Sequence, residues 1–187
     1  MRLFRLTAST FLVCLGVLIS EGSASAAPLD IRPPAAIKAA APAISRPAIQ
    51  HEPYAPGTIV INTRERRLYF MLAGGEVIRY PIGVGRVGFT WGGITSVERK
   101  QEWPSWSPPE QMLRRQPYLP RWMAGGPKNP LGARALYLAN TLYRIHGTNE
   151  PESIGHAVSS GCFRMHNDHV IDLYNRVTVG ARVVVVQ

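Results

Sequence analysis

Cysteine is nearly missing from this sequence: 187 residues carry two, Cys14 and Cys162. No Cys-x-x-Cys pair occurs, which removes the zinc-ribbon and thioredoxin-type redox patterns. Acidic residues are also scarce, 12 against 21 Lys and Arg, for a formal charge of +9. A basic surface suits an anionic partner, whether nucleic acid, an acidic membrane face or an anionic polymer such as a bacterial wall, and charge by itself does not choose among them. Long apolar runs are lacking as well. The longest, Phe11 to Ile19, falls short of the roughly 20 residues that span a bilayer. No internal repeat is present.

That short run has its own meaning. Arg2 and Arg5 precede it and Ala24-Ser25-Ala26 follows it as a small-x-small site. This is the layout of an export signal over residues 1–26, cleaved near Ala26 into the periplasm or cell envelope; a retained anchor is the alternative. Val13 is too large, and Cys14 too deep in the apolar run, for a lipoprotein site. Cleavage removes Cys14 and lowers the formal charge to +8. Exported proteins usually pair or discard their thiols, so a lone Cys162 is either an inert buried hydrophobe or a group with work to do.

Residues 27–53 are rich in Ala and Pro, with Pro28, Pro33, Pro34, Pro42, Pro47 and Pro53 and no hydrophobic period. They read as a linker or tail of extended, poorly packed backbone. From Tyr54 to Gln187 the pattern is that of a mainly β domain. Thr58–Asn62, Arg67–Met71 and Val77–Ile82 are β-branched or aromatic runs parted by turn residues, as in a meander. Residues 83–133 are Gly- and Pro-rich with four tryptophans, the composition of binding loops. Ala135–Leu138 and Leu142–His146 return to strand character. Val170, Leu173, Tyr174 and Val177 recur at helical spacing, with Asn167 or Asp168 as N-cap. Arg182–Val186 closes as a strand.

Chemistry concentrates in His146-Gly147-Thr148 and Ser159-Ser160-Gly161-Cys162-Phe163-Arg164-Met165. A thiol becomes a nucleophile when a base takes its proton, and imidazole is well matched to that task near neutral pH. Strand alternation puts His146 on the face of Arg144 and Leu142, at the strand's end. Gly161 permits a tight turn that exposes the sulfur and turns backbone N–H groups, those of Gly147 and Gly161 with Ser160, toward a developing oxyanion. No carboxylate follows His146 closely; the carbonyl of Gly147 can fix its tautomer instead. Arg164 either grips a substrate carboxylate or supports the Cys162 loop. Ser159 and Ser160 either meet the substrate or build the turn. Trp103 and Trp106 either wall the substrate or hold the Pro-rich loop as buried aromatics. His156, His166 and His169 invite a metal reading, but they read as surface histidines near a helix end without a tight ligand cluster.

These two motifs resemble the signature of the L,D-transpeptidase catalytic domain, the YkuD type. The similarity extends to Asn129-Pro130-Leu131-Gly132 with Ala135-Leu136, to Trp103-Pro104 through Pro108-Pro109, and to Gly180 through Val186, so it covers roughly Tyr54 to Gln187. It implies a β-sandwich-like fold with one or two short helices, Cys162 as nucleophile and His146 as general base. The implied donor is a peptidoglycan tetrapeptide stem that loses D-alanine to leave a thioester. An amine of a second stem resolves it as a 3→3 cross-link, with neither metal nor cofactor. Water or a lysine of an envelope protein are alternative acceptors, and a carbapenem is the expected inhibitor. A non-catalytic wall-binding module is the alternative of another class; nucleic acid is not an implied partner. Many members carry His where this chain has Ser160, and some carry Asn where it has Arg164.

Overall fold

The computed structural model describes residues 43–45 and 54–187. The expected signal segment and most of the 27–53 linker lie outside them. Among the described residues no helix is long and apolar enough to cross a membrane. Part of the expected linker is a strand: β1 (Ala43–Ser45) pairs antiparallel with β4 (Val77–Pro81).

The meander forms as expected. β2 (Ile59–Asn62), β3 (Arg67–Met71) and β4 are successive antiparallel neighbours, because β2 and β3 are continuous apolar runs, buried on both faces, between polar turns. β11 (Arg182–Val186) returns parallel to β2, and β6 (Gly93–Glu102) flanks it on the other side. β7 (Arg134–Leu138), β8 (Arg144–His146) and β10 (Phe163–Arg164) extend the same sheet to nine strands. A separate pair, β5 (Val84–Gly85) with β9 (Ala157–Ser159), runs parallel beside them.

The sandwich character arises from one curled sheet. β6 gives residues 93–96 to β11 and residues 97–102 to β7, with an irregularity between Val97 and Arg99. A bulge adds local twist and bends a strand, so β6 carries the sheet from one half to the other. The fold is mainly β, and the halves close over one core. Ile59, Ile61, Leu68, Ile78, Tyr80 and Ile82 meet Leu136, Ile145, Phe163 and Met165 there. Two helices complete it, α1 (Glu110–Arg115) and α2 (Asn167–Arg176). Val170 and Leu173 of α2 are fully buried, each worth about 1.5–3 kcal/mol of apolar burial.

Four expectations need correction. The 83–133 region is not loop throughout, since β6 is the longest strand; it is mostly solvent-facing, with Val97 its fully buried residue, so no apolar run announced it. Leu142 lies outside β8 and is 70% exposed, in the turn where Asn140 takes a positive φ. Neither Asn167 nor Asp168 caps α2: His166 is the flanking residue, and it makes no side-chain cap bond. His169 is not on the surface but buried, its ring against Tyr80.

Candidate active site

Strand alternation separates two faces in the β7–β8–β10 portion of the sheet. Ile145 pairs with Leu136 on β7 and with Phe163 on β10, and all three side chains enter the core. Alternation sends the intervening residues to the other face. His146 pairs there with Ala135 and Arg164, and Arg144 with Tyr137. Cys162 directly precedes Phe163 of β10 as Arg144 precedes Ile145 of β8, and Arg144 approaches its thiol. Thus Arg144, His146, Cys162 and Arg164 occupy one face, and small Ala135 leaves room beside the imidazole.

His146 is 4% exposed, and its Nδ1 lies 2.5 Å from the carbonyl of Gly147. A carbonyl only accepts, so Nδ1 carries the hydrogen and Nε2 keeps the lone pair. Burial drives the imidazole down to about 3, with Arg164 and Arg144 pushing the same way against the Gly147 hydrogen bond. The ring is neutral at ordinary pH. Cys162 is a free, half-buried thiol. Burial pushes it up, opposed by Arg144, which approaches through both backbone and guanidinium, and by Arg164.

The turn holding Cys162 is braced from three sides. Ser159 Oγ donates to the carbonyl of Cys162 at 2.6 Å and accepts the Gly161 N–H at 3.1 Å. Trp91 Nε1 donates to the Gly161 carbonyl at 3.0 Å. The Trp91 ring stacks on Tyr143 at 4.9 Å and leans on Phe163. Gly161 sits at φ +108°, and a Cβ there would meet the Tyr143 ring at 2.3 Å. Only glycine fits this turn.

A second brace fixes the loop after His146. Asn167 Oδ1 accepts from Ala133 N and Thr148 N, at 2.9 and 3.2 Å, and its Nδ2 donates to the Thr148 carbonyl at 3.0 Å. Gly132 and Gly147 crowd the same amide: a Cβ on either would come within 2.3 Å of Oδ1. Asparagine at the start of α2 is therefore a clamp between the 132–133 turn and the His146 loop.

The remaining expected site residues divide. Gly147 orients the imidazole through its carbonyl, while its N–H donates to Arg134 O at 3.0 Å and is not left for an oxyanion. The Gly161 N–H is likewise taken by Ser159, and Ser159 itself is buried in the turn rather than facing substrate. Ser160 Oγ lies 3.5 Å from Arg86 Nη1. Arg164 stays on the site face, tied to Glu150 at 2.7 Å. Trp106 is half-buried and its backbone pairs with Met123; among the described residues no ring contact or side-chain hydrogen bond joins it to Cys162. Trp103 is 44% exposed, so it is not a buried aromatic holding the Pro-rich loop. Among the described residues no three His, Cys, Asp or Glu side chains converge as metal ligands.

Sequence reasoning missed Asn167, Trp91 and Tyr143 as supports and Arg86 as a neighbour. The Gly132 and Gly147 pair was the available signal for Asn167, since glycines that approach closely need something to approach.

The family model for the YkuD L,D-transpeptidase catalytic domain matches residues 56–185. The chain belongs to that family. "Probable L,D-transpeptidase ErfK/SrfK" of Escherichia coli is 40% identical over 68% of this chain, which spans 43% of that relative's length. L,D-transpeptidase 3 from Mycobacterium tuberculosis, solved with a faropenem-derived adduct, shares the fold with a TM-score of 0.54 at 16% identity, over 70% of this chain and 60% of that one. A Brucella melitensis structure described as a "Probable carnitine operon oxidoreductase caia" is 43% identical, with a TM-score of 0.52 over 80% of this chain and 95% of that one. The oxidoreductase description stays with that protein. Gly83-Val84-Gly85-Arg86-Val87-Gly88 does spell a Gly-x-Gly-x-x-Gly, but β5 lies within it and a turn and β6 follow it. A dinucleotide site needs a helix N-terminus at that point to receive the pyrophosphate.

Proposed function

We propose that this YkuD-family chain is an L,D-transpeptidase of the cell envelope, with Cys162 as nucleophile and His146 as general base and acid. The observation that carries the reading is the parallel pairing of β8 with β10, which puts His146, its Nδ1 engaged by Gly147, opposite Arg164, two residues from the braced Cys162. In the first half-reaction the Sγ–H bond breaks and its proton goes to His146 Nε2. The sulfur bonds to the carbonyl carbon of the third stem residue. The imidazolium then returns the proton to the leaving amide nitrogen, the C–N bond breaks, and D-alanine departs from a thioester. In the second half an amine of another stem attacks that thioester, its proton passes through His146, and the thiol is restored. The energy of the broken peptide bond is kept in the thioester, so the exchange needs no nucleotide.

Burial of a neutral imidazole suits this cycle. The ring is uncharged at rest and weakened as a base by burial, so it takes the proton as negative charge develops on sulfur or oxygen nearby to stabilise the cation. The export-signal pattern at the N-terminus and the basic charge support work on an anionic wall outside the cytoplasm.

Intact-mass measurement tests the reading. Incubation with a tetrapeptide donor is expected to add the acyl mass less D-alanine, and faropenem or a carbapenem is expected to add a β-lactam adduct. Both additions should vanish in Cys162→Ala with the fold retained. A folded wild type left unmodified by both would favour a wall-binding module, and an adduct persisting in the variant would remove Cys162 from its role. Digested wall from a deletion strain then separates acceptors: loss of 3→3 dimers, of shortened stems, or of protein-linked stems.

A further inference from the structure

The Cys162 face holds more positive charge than a cysteine–histidine pair requires. On the Cys162 face stand Arg144 and His146 from β8 and Arg164 from β10, with Glu150 of the loop after β8 paired to Arg164. Tyr143 lies against Gly161, and Arg86 reaches in through Ser160. The arginines differ in how they are held. Arg164 is neutralised in part by Glu150 at 2.7 Å, and Arg86 lies over the Phe89 ring at 4.3 Å. Arg144 has no carboxylate partner among the described residues. One Nη donates to the Leu142 carbonyl at 2.9 Å, the guanidinium lies 5.1 Å from the centre of the Tyr137 ring, and the buried Nε makes no hydrogen bond. A carbonyl and a ring orient a guanidinium without cancelling its charge.

We infer that Arg144 is a positioning residue for the nucleophile: its guanidinium, which approaches Cys162, is the standing counter-charge of the thiolate, and His146 serves as a neutral base rather than as an imidazolium partner. This rests on the transpeptidase reading of the site. The geometry supports it twice. Arg144 and Cys162 directly precede the paired residues Ile145 and Phe163 of adjacent strands, and Arg144 approaches the thiol through both its backbone and its guanidinium. The tether to Leu142 and Tyr137 holds the side chain there, so little side-chain entropy is lost when the sulfur ionises. The direction of the charge effects agrees, since both arginines favour thiolate on Cys162 and disfavour a proton on His146. In the reaction the proton passes from Sγ to His146 Nε2, neutral until then, and the sulfur anion formed lies against the existing Arg144 cation. The imidazolium gives that proton to the leaving amide nitrogen, and the ring later takes one from the incoming amine and returns it to the sulfur.

The test is the pH profile of alkylation at Cys162 by iodoacetamide, read as intact mass on the full chain for wild type, R144Q, R144K and H146Q. An opposite charge within about 4–6 Å shifts a group by roughly one to three units. R144Q is therefore expected to raise the inflection by about one unit or more, slowing alkylation at pH 7 about tenfold, with rates converging near pH 10. R144K keeps the charge and is expected to lie closer to wild type than to R144Q. H146Q is expected to leave the inflection within about half a unit of wild type. Overlapping profiles for folded R144Q and wild type would overturn the assignment. Should R144Q fail to fold, H146Q decides: an inflection that rises by a unit makes the imidazole the counter-charge and overturns it, and one that stays upholds it. Tetrapeptide acylation is a separate measurement. Its absence alongside an Arg144-dependent profile would count against the transpeptidase reading and leave the counter-charge standing.

Discussion

His146 is buried as a neutral imidazole, which links the proposed chemistry of the site to the acid stability of the protein. An imidazole in an unfolded chain protonates near 6.5, whereas burial holds this one down to about 3. Between those values the unfolded state binds a proton that the folded state refuses, so stability is complete above about 6.5 and falls as pH drops. The expected result is a wild-type Tm that falls more between pH 6.5 and 4 than that of His146→Gln, by about 5 °C or more, in thermal melts at matched ionic strength. Parallel curves would mean that the ring protonates freely when folded. The residue types of this site were legible in the sequence, because a single thiol outside the expected signal segment and a histidine at a strand end are unusual. Their environment was not. Nothing in the letters says that the Gly147 N–H is taken by Arg134, or that Ser159 turns inward.

At the scale of elements, the meander and the final strand were legible because each has an apolar run between turn residues, as Ile59-Val60-Ile61 does before Thr63. β6 was hidden. A strand that passes from one half of a curled sheet to the other needs few core residues, and Gly93–Glu102 reads as a polar loop. The start of α2 misled for a related reason. Asn167 has the chemistry of a cap, but three hydrogen bonds draw its amide toward the 133 and 148 backbone. That clamp joins α2 to the strand carrying His146, so its removal should act on function more than on the helix. Asn167→Ala leaves two buried backbone N–H groups without their acceptor, at about 1–3 kcal/mol each when water cannot replace it. The expected outcome is a loss of about 2–4 kcal/mol in denaturant unfolding and at least tenfold slower acylation of Cys162 by a tetrapeptide donor. Asn167→Asp keeps the acceptor oxygens and should recover most of the stability. Unchanged acylation in a destabilised N167A would make the clamp a matter of folding only.

For the molecule as a whole, the formal charge of +9 has a role to fill beyond the site. Carried on exposed side chains such as Arg114, Arg115, Arg121 and Lys128, it should draw the chain to an anionic wall before any thiol chemistry begins. Charges at the surface act over roughly 10 Å at 0.1 M salt and about 3 Å at 1 M. Retention by electrostatics must therefore collapse over that range, whereas retention by a fitted pocket or by exposed aromatics such as Tyr118 and Trp122 should persist. The covalent route has to be closed to see this, so the measurement uses Cys162→Ala and purified wall sacculi, with bound protein pelleted across a salt series. The expected outcome is at least a tenfold weaker association at 0.5 M than at 0.05 M salt. Partial removal of the wall's carboxylates by amidation should produce a similar loss at low salt. If the variant pellets equally at every salt concentration, the basic surface is not what holds the chain on the sacculi, and the exposed aromatics of residues 103–122 become the next surface to change.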